Sequence, residues 1–333
     1  MYKFNKEKAV ELEPKTFKSL NIKEDDLEEM LRNSIDMLCG DEESMLIIGR
    51  QVMNVKRGRC DLCALDNEGN FVLIELKRDE KDITHRSEAL EFQAIRYAAS
   101  YAKFTDLDDL VQQVYAPYIR KYRQEFGESE LTDYELGMRK IKTFLNDNGA
   151  INTFNKKQRI ILAASKFDEQ TLSAVSWLCA NGVDISCYQL TPYVLNDEVY
   201  IKPERLLPIT SYDSYYIGLM GSTEQAKSTK KITRQTLPKI NELLEAGVVK
   251  AGDVIMPKDR TEEAILCDDG KVDLHGEHLS LQAWLKRVYG WSSVQTYMFA
   301  IHKERNMSLS ALREEYMDAQ GVESFDSDAD TTD

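Results

Sequence analysis

The chain has 333 residues, of which 42% are hydrophobic and 30% charged, a composition typical of a folded globular protein with one or two domains. No apolar run approaches the roughly 20 residues of a membrane span, and the opening MYKFNKEKAVELEPK lacks the apolar segment of a secretory signal. We therefore expect a cytoplasmic protein with no membrane partner and with reduced cysteines. The net charge of -14 excludes a surface that coats nucleic acid over its whole extent, but it leaves room for a local basic cleft.

The first elements predicted along the chain are one helix and three strands. The helix covers residues 23–38, KEDDLEEMLRNSIDML, in which apolar residues recur at helical spacing and acidic residues crowd the first turn. Strand-like runs follow in MLIIGRQVMN, RCDLCALD and NFVLIELKR, and the turn-rich DNEGN separates the last two. This pattern predicts a three-stranded antiparallel meander.

Helices and strands then alternate. Helices are predicted in HRSEALEFQAIRYAASYAKF, LDDLVQQVYAPYIRKYRQEF and DEQTLSAVSWLCANG, and strands in QRIILAAS, DISCYQLTPYV and EVYIKPERLLPI. The order predicts an α/β domain over residues 1–212, with a mixed sheet flanked by helices. A helical insertion at about 105–155 is longer than a connection needs to be, and it is a candidate DNA clamp or dimer face.

A second domain is predicted after a polar, mostly basic linker at 213–235. Segments such as LPKINELLEAG, EEAILCDD and SLQAWLKRVYG predict a small α+β domain over 236–303. Residues 304–333 are predicted to form a helical extension and an acidic, disordered tail.

The candidate site lies in the second hairpin of the meander, where Asp61, Glu75 and Lys77 stand among apolar residues. Buried charges need partners, because desolvation of a charge costs several kcal/mol or more. If residues 66–70 form the loop, Asp61 lies opposite Glu75, and Lys77 lies on the same face of the strand as Glu75. Two carboxylates and an ammonium group are thus expected to converge.

This set of side chains predicts a metal site. Two nearby carboxylates repel each other unless a cation lies between them, and Mg²⁺, for which Mn²⁺ can substitute, prefers oxygen ligands. Asp61 and Glu75 are the expected ligands, with the backbone carbonyl of Leu76 as a further one. Lys77 is expected to orient or help deprotonate the attacking water.

The pattern of an Asp followed by Glu-x-Lys on a hairpin resembles the PD-(D/E)XK nuclease superfamily, although Cys60 stands where the family name has Pro. QAIRY matches the Q-x-x-x-Y helix of RecB-like and NucS-like members, and the resemblance covers roughly residues 20–210. It implies a restriction-endonuclease-like core with Gln93 and Tyr97 at the site. It also implies an acidic residue from the first helix, either Glu24 or Glu28, acting through water.

The C-terminal segment resembles the RAMA domain, which is associated with restriction enzymes and adenine methylases, on the basis of LLEAG-x-x-K-x-GD and the Gly before Trp291. The later QTYMFA departs from the aromatic pattern expected there. This resemblance implies a DNA-reading module in which Trp291 is a candidate for stacking on bases. In the basic segment VKRGR, Arg57 and Arg59 are further candidates for contacting DNA.

Together these features predict a Mg²⁺-dependent DNA endonuclease, a phosphodiester hydrolase of restriction or antiviral defence that senses DNA modification and acts as a homodimer. A non-catalytic DNA-binding or interaction protein on the same fold and a nuclease for mismatched or branched DNA remain as alternatives. No nucleotide-binding glycine loop occurs, so no nucleotide cofactor is expected. The lone Cys60-x-x-Cys63 pair is assigned to core packing. The His275-x-x-His278 pair is assigned to a solvated turn.

Overall fold

The computed structural model describes residues 1–4, 6–53, 58–78, 89–209 and 237–319. The chain divides into two compact units. The first contains residues 1–209 together with Trp291–Ser293, and the second contains the other described residues from 237 onward. The predicted linker at 213–235 and the acidic tail after residue 319 lie outside the described residues.

The first unit contains a short N-terminal hairpin and a six-stranded mixed sheet. The hairpin strands are β1 (Tyr2–Phe4) and β2 (Ala9–Glu11). The sheet strands are β3 (Met45–Met53), β4 (Arg59–Asp66), β5 (Phe71–Lys77), β6 (Gln158–Ala164), β7 (Ile185–Leu195) and β8 (Glu198–Leu207), and they lie side by side in this order. The pairs β3–β4, β4–β5 and β7–β8 are antiparallel, whereas β6 is parallel to both neighbours. The predicted meander and mixed sheet are therefore confirmed.

Helices flank this sheet. They are α1 (Glu24–Asn33), α2 (Asp36–Cys39), α3 (Leu90–Tyr101), α4 (Leu107–Leu110), α5 (Ala116–Lys121), α6 (Asp133–Asp147) and α7 (Glu169–Ala180). The prediction of one helix over 23–38 is wrong, because Ser34 leaves the helical region at φ -138° and separates α1 from α2. Ser competes for backbone hydrogen bonds and therefore favours helix ends. Within the described ranges, no helix has both the length and the apolar character needed to cross a bilayer.

The β4–β5 hairpin has the register predicted from its sequence. Leu65 pairs with Phe71, and the pairing continues to Leu62 and Ile74. Every residue of β5 is buried, which follows from its position between β4 and β6 in the interior of the sheet. This register carries Asp61 to the end of the ladder, next to Glu75.

The second unit is a small α+β structure. Its sheet contains β9 (Val254–Pro257), β10 (Ala264–Leu266), β11 (Lys271–Leu274), β12 (Glu277–Ser280), β13 (Ala300–His302) and β14 (Met307–Ser308). Its helices are α8 (Ile240–Glu245), α9 (Leu281–Tyr289), α10 (Thr296–Phe299) and α11 (Leu309–Ala319). His275 lies in the β11–β12 turn as predicted, whereas His278 belongs to β12, and both are exposed.

Candidate active site

Asp61 and Lys77 meet at the open end of the β4–β5 hairpin. Only 5% of Asp61 and 2% of Lys77 is exposed. The backbone N–H of Leu76 donates to Asp61 Oδ2 at 2.7 Å, and Lys77 Nζ lies 3.6 Å from the same oxygen. The ammonium group also donates to the carbonyl oxygen of Leu76, so this predicted metal ligand already has a hydrogen-bond donor.

Helix α1 adds two carboxylates to this end of the hairpin. Glu24 Oε1 accepts a hydrogen bond from Lys77 Nζ at 3.3 Å, and Glu28 is 2% exposed. Carboxylate oxygens of Glu24, Glu28 and Asp61 lie within 4.8 Å of one another, close enough to share one metal ion. We call these three residues the acidic cluster. The sequence left Glu24 and Glu28 as alternatives, and the structure brings both side chains to Asp61, because residues four apart share a face of the helix.

Glu75 lies beside α3 and is not a member of the acidic cluster found among the described residues. The side chain of Gln93 connects it to the helix, with Nε2 at 3.4 Å from Glu75 Oε2 and at 3.1 Å from the hydroxyl of Tyr97. The same hydroxyl accepts a hydrogen bond from the backbone N–H of Arg59 at 3.2 Å. The structure therefore places the predicted residues Glu75, Gln93 and Tyr97 in one hydrogen-bonded chain that adjoins the acidic cluster through the hairpin.

Sequence reasoning missed Arg50 on β3. Its side chain is 8% exposed, and it donates to Glu28 Oε2 at 3.0 Å and to Glu29 Oε2 at 2.6 Å. It also binds Asp25 Oδ1 at 2.5 Å and the hydroxyl of Tyr122, in the helical insertion, at 3.1 Å. A signal was present in the sequence, since Arg50 interrupts the apolar run MLIIGRQVM in the way that Glu75 interrupts the run in β5.

Electrostatic repulsion within the acidic cluster appears in the pKa of Glu28. Burial raises this pKa above its usual value of 4.5, and the nearby charge of Asp61 raises it further. Hydrogen bonds from Arg50 and from Gln51 Nε2, at 3.0 Å, oppose the rise. A divalent cation would relieve the same repulsion, and three carboxylates supply the oxygen ligands that hard cations prefer.

The sequence also predicted DNA contacts for Arg59, Arg57 and Trp291. Arg59 is exposed at the start of β4, where a ligand can reach it, whereas Arg57 lies outside the described residues. Trp291 is only 6% exposed, so its ring presents no open face for stacking on bases. Cys60 and Cys63 are fully buried with their Sγ atoms 3.5 Å apart, as expected for cysteines that pack in the core.

No protein-family model matches the chain, and no curated protein is significantly similar to it. The fold and the site together define a mixed α/β protein with a cluster of three carboxylates beside a lysine, in which Glu28 and Asp61 are buried and Glu24 is half-buried. Function must therefore be inferred from the chemistry of this site.

Proposed function

We propose that this protein is a metal-dependent endonuclease with a PD-(D/E)XK core, which hydrolyses phosphodiester bonds in DNA. The observation that carries the proposal is the acidic cluster, whose oxygens lie within 4.8 Å of one another beside the ammonium group of Lys77, 3.6 Å from Asp61. Asp61 and Lys77 stand at the end of a buried hairpin, where a purely structural sheet would carry apolar side chains.

The donor atoms of the acidic cluster fit a magnesium ion. Glu24, Glu28 and Asp61 offer oxygen ligands alone, whereas zinc sites in proteins are usually built with nitrogen or sulfur ligands. When bound, a divalent cation polarises a phosphate oxygen and lowers the pKa of a coordinated water. Mn²⁺, which also favours oxygen ligands, is the expected substitute.

The residues of the chain have separate roles in this proposal. Lys77 places a positive charge next to Asp61, where it offsets charge that develops on the phosphate and orients the attacking water. Gln93 fixes the carboxylate of Glu75 by a hydrogen bond, and Tyr97 in turn accepts one from Gln93. Arg59, exposed beside this chain of contacts, is positioned to bind a backbone phosphate.

The proposed biological setting is restriction or antiviral defence, with a homodimer as the cutting species. A role of the second unit in reading DNA modification rests on its sequence resemblance to RAMA domains. The burial of Trp284 and Phe299 assigns these rings to the core of the second unit, so base reading by this unit would have to use other side chains.

One observation favours a second candidate, a non-catalytic DNA-binding protein on the same fold. Each member of the acidic cluster already has a cationic partner, since Glu28 pairs with Arg50 while Glu24 and Asp61 share Lys77. Such a network holds α1 on the hairpin without any metal. Metal binding by the purified protein separates the two candidates.

The test is cleavage of duplex DNA in Mg²⁺ or Mn²⁺, combined with calorimetric titration of each metal. Asp61→Asn and Lys77→Met remove charge with little change in shape, and each is expected to lower the cleavage rate at least about 100-fold. The matched control is Asp25→Asn on the same helix, because Asp25 binds Arg50, lies outside the acidic cluster and is 71% exposed in its side chain. It is expected to retain cleavage within about threefold of the wild type.

Unmodified, methylated, mismatched and branched duplexes are compared in the same assay, so that the preferred substrate distinguishes defence from repair. Cleavage that survives Asp61→Asn would contradict the assignment of the site. Binding of DNA by wild-type protein that neither cuts nor takes up metal would favour the non-catalytic candidate.

A further inference from the structure

The N-terminal hairpin exposes more apolar surface than a solvated element usually carries. Every residue of β1 and β2 is exposed, including Tyr2 at 64%, Phe4 at 74% and Val10 at 46%. An isolated two-stranded hairpin is at best marginally stable in water, so it gains order when one of its faces is covered. We call residues 1–4 and 6–11 the N-terminal arm.

The N-terminal arm is attached next to an edge of the six-stranded sheet. Lys15 N–H donates to the carbonyl oxygen of Pro192 on β7 at 2.8 Å, and the fully buried Phe17 follows as an anchor. Pro192 pairs with Ile201 of β8. The arm therefore leaves the body of the first unit beside the β7–β8 pair.

Strand β8 is the last strand of that sheet among the described residues, and all but one of its residues are at least partly exposed. It carries two exposed apolar side chains, Val199 at 45% and Tyr200 at 44%. Its turn end is acidic, with Asp197 in the turn and Glu198 on the strand both exposed, whereas Glu204 further along forms an ion pair with Lys202 at 2.7 Å. Exposed strand edges of this kind readily pair with another chain.

We propose that the N-terminal arm of one copy packs against the β8 edge of a second copy, and that the reciprocal contact closes a symmetric dimer. A two-fold interface must be self-complementary, and this chain carries both halves of the contact. Lys3 and Lys6 of the arm complement Asp197 and Glu198 of the edge in charge, and apolar side chains lie on both surfaces. The arm and β8 have ten described residues each, so each partner supplies 20 residues, the lower end of the roughly 20 to 30 that a stable interface uses.

A polyanion fits this surface less well than a second copy does. Glu7 and Glu11 alternate with the lysines of the arm, and the arm is attached beside the acidic turn that contains Asp197. DNA phosphates next to these carboxylates would be repelled, whereas a protein surface of mixed charge can satisfy both signs.

The first experiment is sedimentation equilibrium of the full chain over about 1 to 100 µM, a range that covers typical dimer affinities. Replacing Tyr2 and Phe4 together by Ser is expected to raise the dimer dissociation constant at least about 100-fold. Trp177→Ser is the matched control, because Trp177 is also exposed, at 65%, but lies on α7. It is expected to leave the dissociation constant unchanged.

The second experiment exchanges the charges of the two surfaces and leaves the apolar side chains of the arm in place. The double variant Lys3→Glu/Lys6→Glu and the double variant Asp197→Lys/Glu198→Lys are each expected to be monomeric. Mixed in equal amounts they should form a heterodimer, because each contact then joins opposite charges.

A wild-type protein that is monomeric over the whole range would overturn the proposal, as would charge variants that dimerise like the wild type. Loss of single-stranded oligonucleotide binding in the arm variants, without any change in association, would instead identify the arm as a nucleic-acid contact. These readouts measure association rather than cleavage, so their outcome is independent of the proposed endonuclease activity.

Discussion

Arg50 shows how single charged residues build the candidate site. One guanidinium, 8% exposed in its side chain, holds carboxylates of Asp25, Glu28 and Glu29, all on α1. By binding these three carboxylates, Arg50 fixes the orientation of α1 that brings Glu28 into the acidic cluster. Without Arg50, the buried carboxylate of Glu28 would keep the neutral amide of Gln51 as a donor but would lose its cation, and an uncompensated buried charge is costly.

Replacement of Arg50 by Ala is therefore expected to lower the free energy of unfolding of the first unit by about 3 kcal/mol. Arg120→Ala is the control, since Arg120 also forms an ion pair, with Asp133, but its side chain is 76% exposed. That change should cost less than about 1 kcal/mol. Urea denaturation followed by tryptophan fluorescence measures both, and equal losses would contradict the role assigned to Arg50.

For single residues of the candidate site, the sequence identified some and missed others, and the difference has a physical reason. Asp61 and Lys77 were found because charge in a buried hairpin is unusual. The pairing of Arg50 with α1 was missed because it depends on which helix packs against β3, and periodicity within each element does not report that. The positions of Glu24 and Glu28 relative to Asp61 depend on the same packing.

Among the elements, the β4–β5 turn decides where the site residues lie. A slip of one residue in this hairpin would turn Asp61 and Glu75 to opposite faces of the sheet. Asp66 holds the turn, since its Oδ1 accepts hydrogen bonds from the N–H groups of Glu68 at 3.0 Å and Asn70 at 2.8 Å. Gly69 completes the turn with φ +82°.

Gly69→Ala is expected to lower the free energy of unfolding by about 2 to 3 kcal/mol, from left-handed strain and from a clash. An added Cβ would lie 2.9 Å from the carbonyl oxygen of Ala150, which belongs to the backbone and has little room to move. Gly127→Ala is matched to it, with φ +70° and no atom within 4 Å of the added Cβ. It should cost only about 1 kcal/mol, and calorimetry of both variants would detect the difference.

The same turn predicts a dependence of stability on pH. Burial raises the pKa of Asp66 from 3.8 to about 6, despite the hydrogen bonds from Asn70. Between these values the folded chain keeps a proton that the unfolded chain has released, so the contribution of Asp66 to stability falls as pH rises from about 4 to 6. Relative to Asp66→Asn, the wild type should lose about 2 to 3 kcal/mol over this interval. A stability difference between the two proteins that does not vary with pH would contradict this explanation.

Prediction of secondary structure from the sequence was correct where the apolar run was long and the element is buried. The strands of the meander and the hairpin register followed from apolar runs and from a turn rich in Asn and Gly. Helix α6 was not predicted, although Thr132 and Glu135 form a capping box that marks its start. The strands β1 and β2 have three exposed residues each, so they carry no burial pattern from which pairing could be predicted.

For the whole molecule, net charge limits how the proposed nuclease can hold DNA. A chain with net charge -14 repels a polyanion everywhere except at a local basic region. Only a few phosphates can then be neutralised, in contrast to proteins that bind through a continuous basic face.

We therefore expect DNA binding by the Asp61→Asn variant to weaken with salt at a logarithmic slope of only about -2 to -4. Fluorescence anisotropy over a range of KCl concentrations measures this slope, and Arg59→Ala should reduce its magnitude by about 1. A slope steeper than about -6 would require many more phosphate contacts than this charge balance allows.

The parallel pairing of β5 with β6 leads us to expect a particular order of folding in the first unit. Phe71 pairs with Gln158, so residues 78–157 must be spanned before this side of the sheet can close. The antiparallel hairpin β4–β5 closes a much shorter loop and can form first, but it then exposes the apolar strand FVLIELK along one edge. During synthesis we expect that edge to stay unpaired until β6 has been made, and unpaired apolar edges of this kind favour aggregation. We therefore expect formation of the β5–β6 pair to be slower than formation of the β4–β5 hairpin.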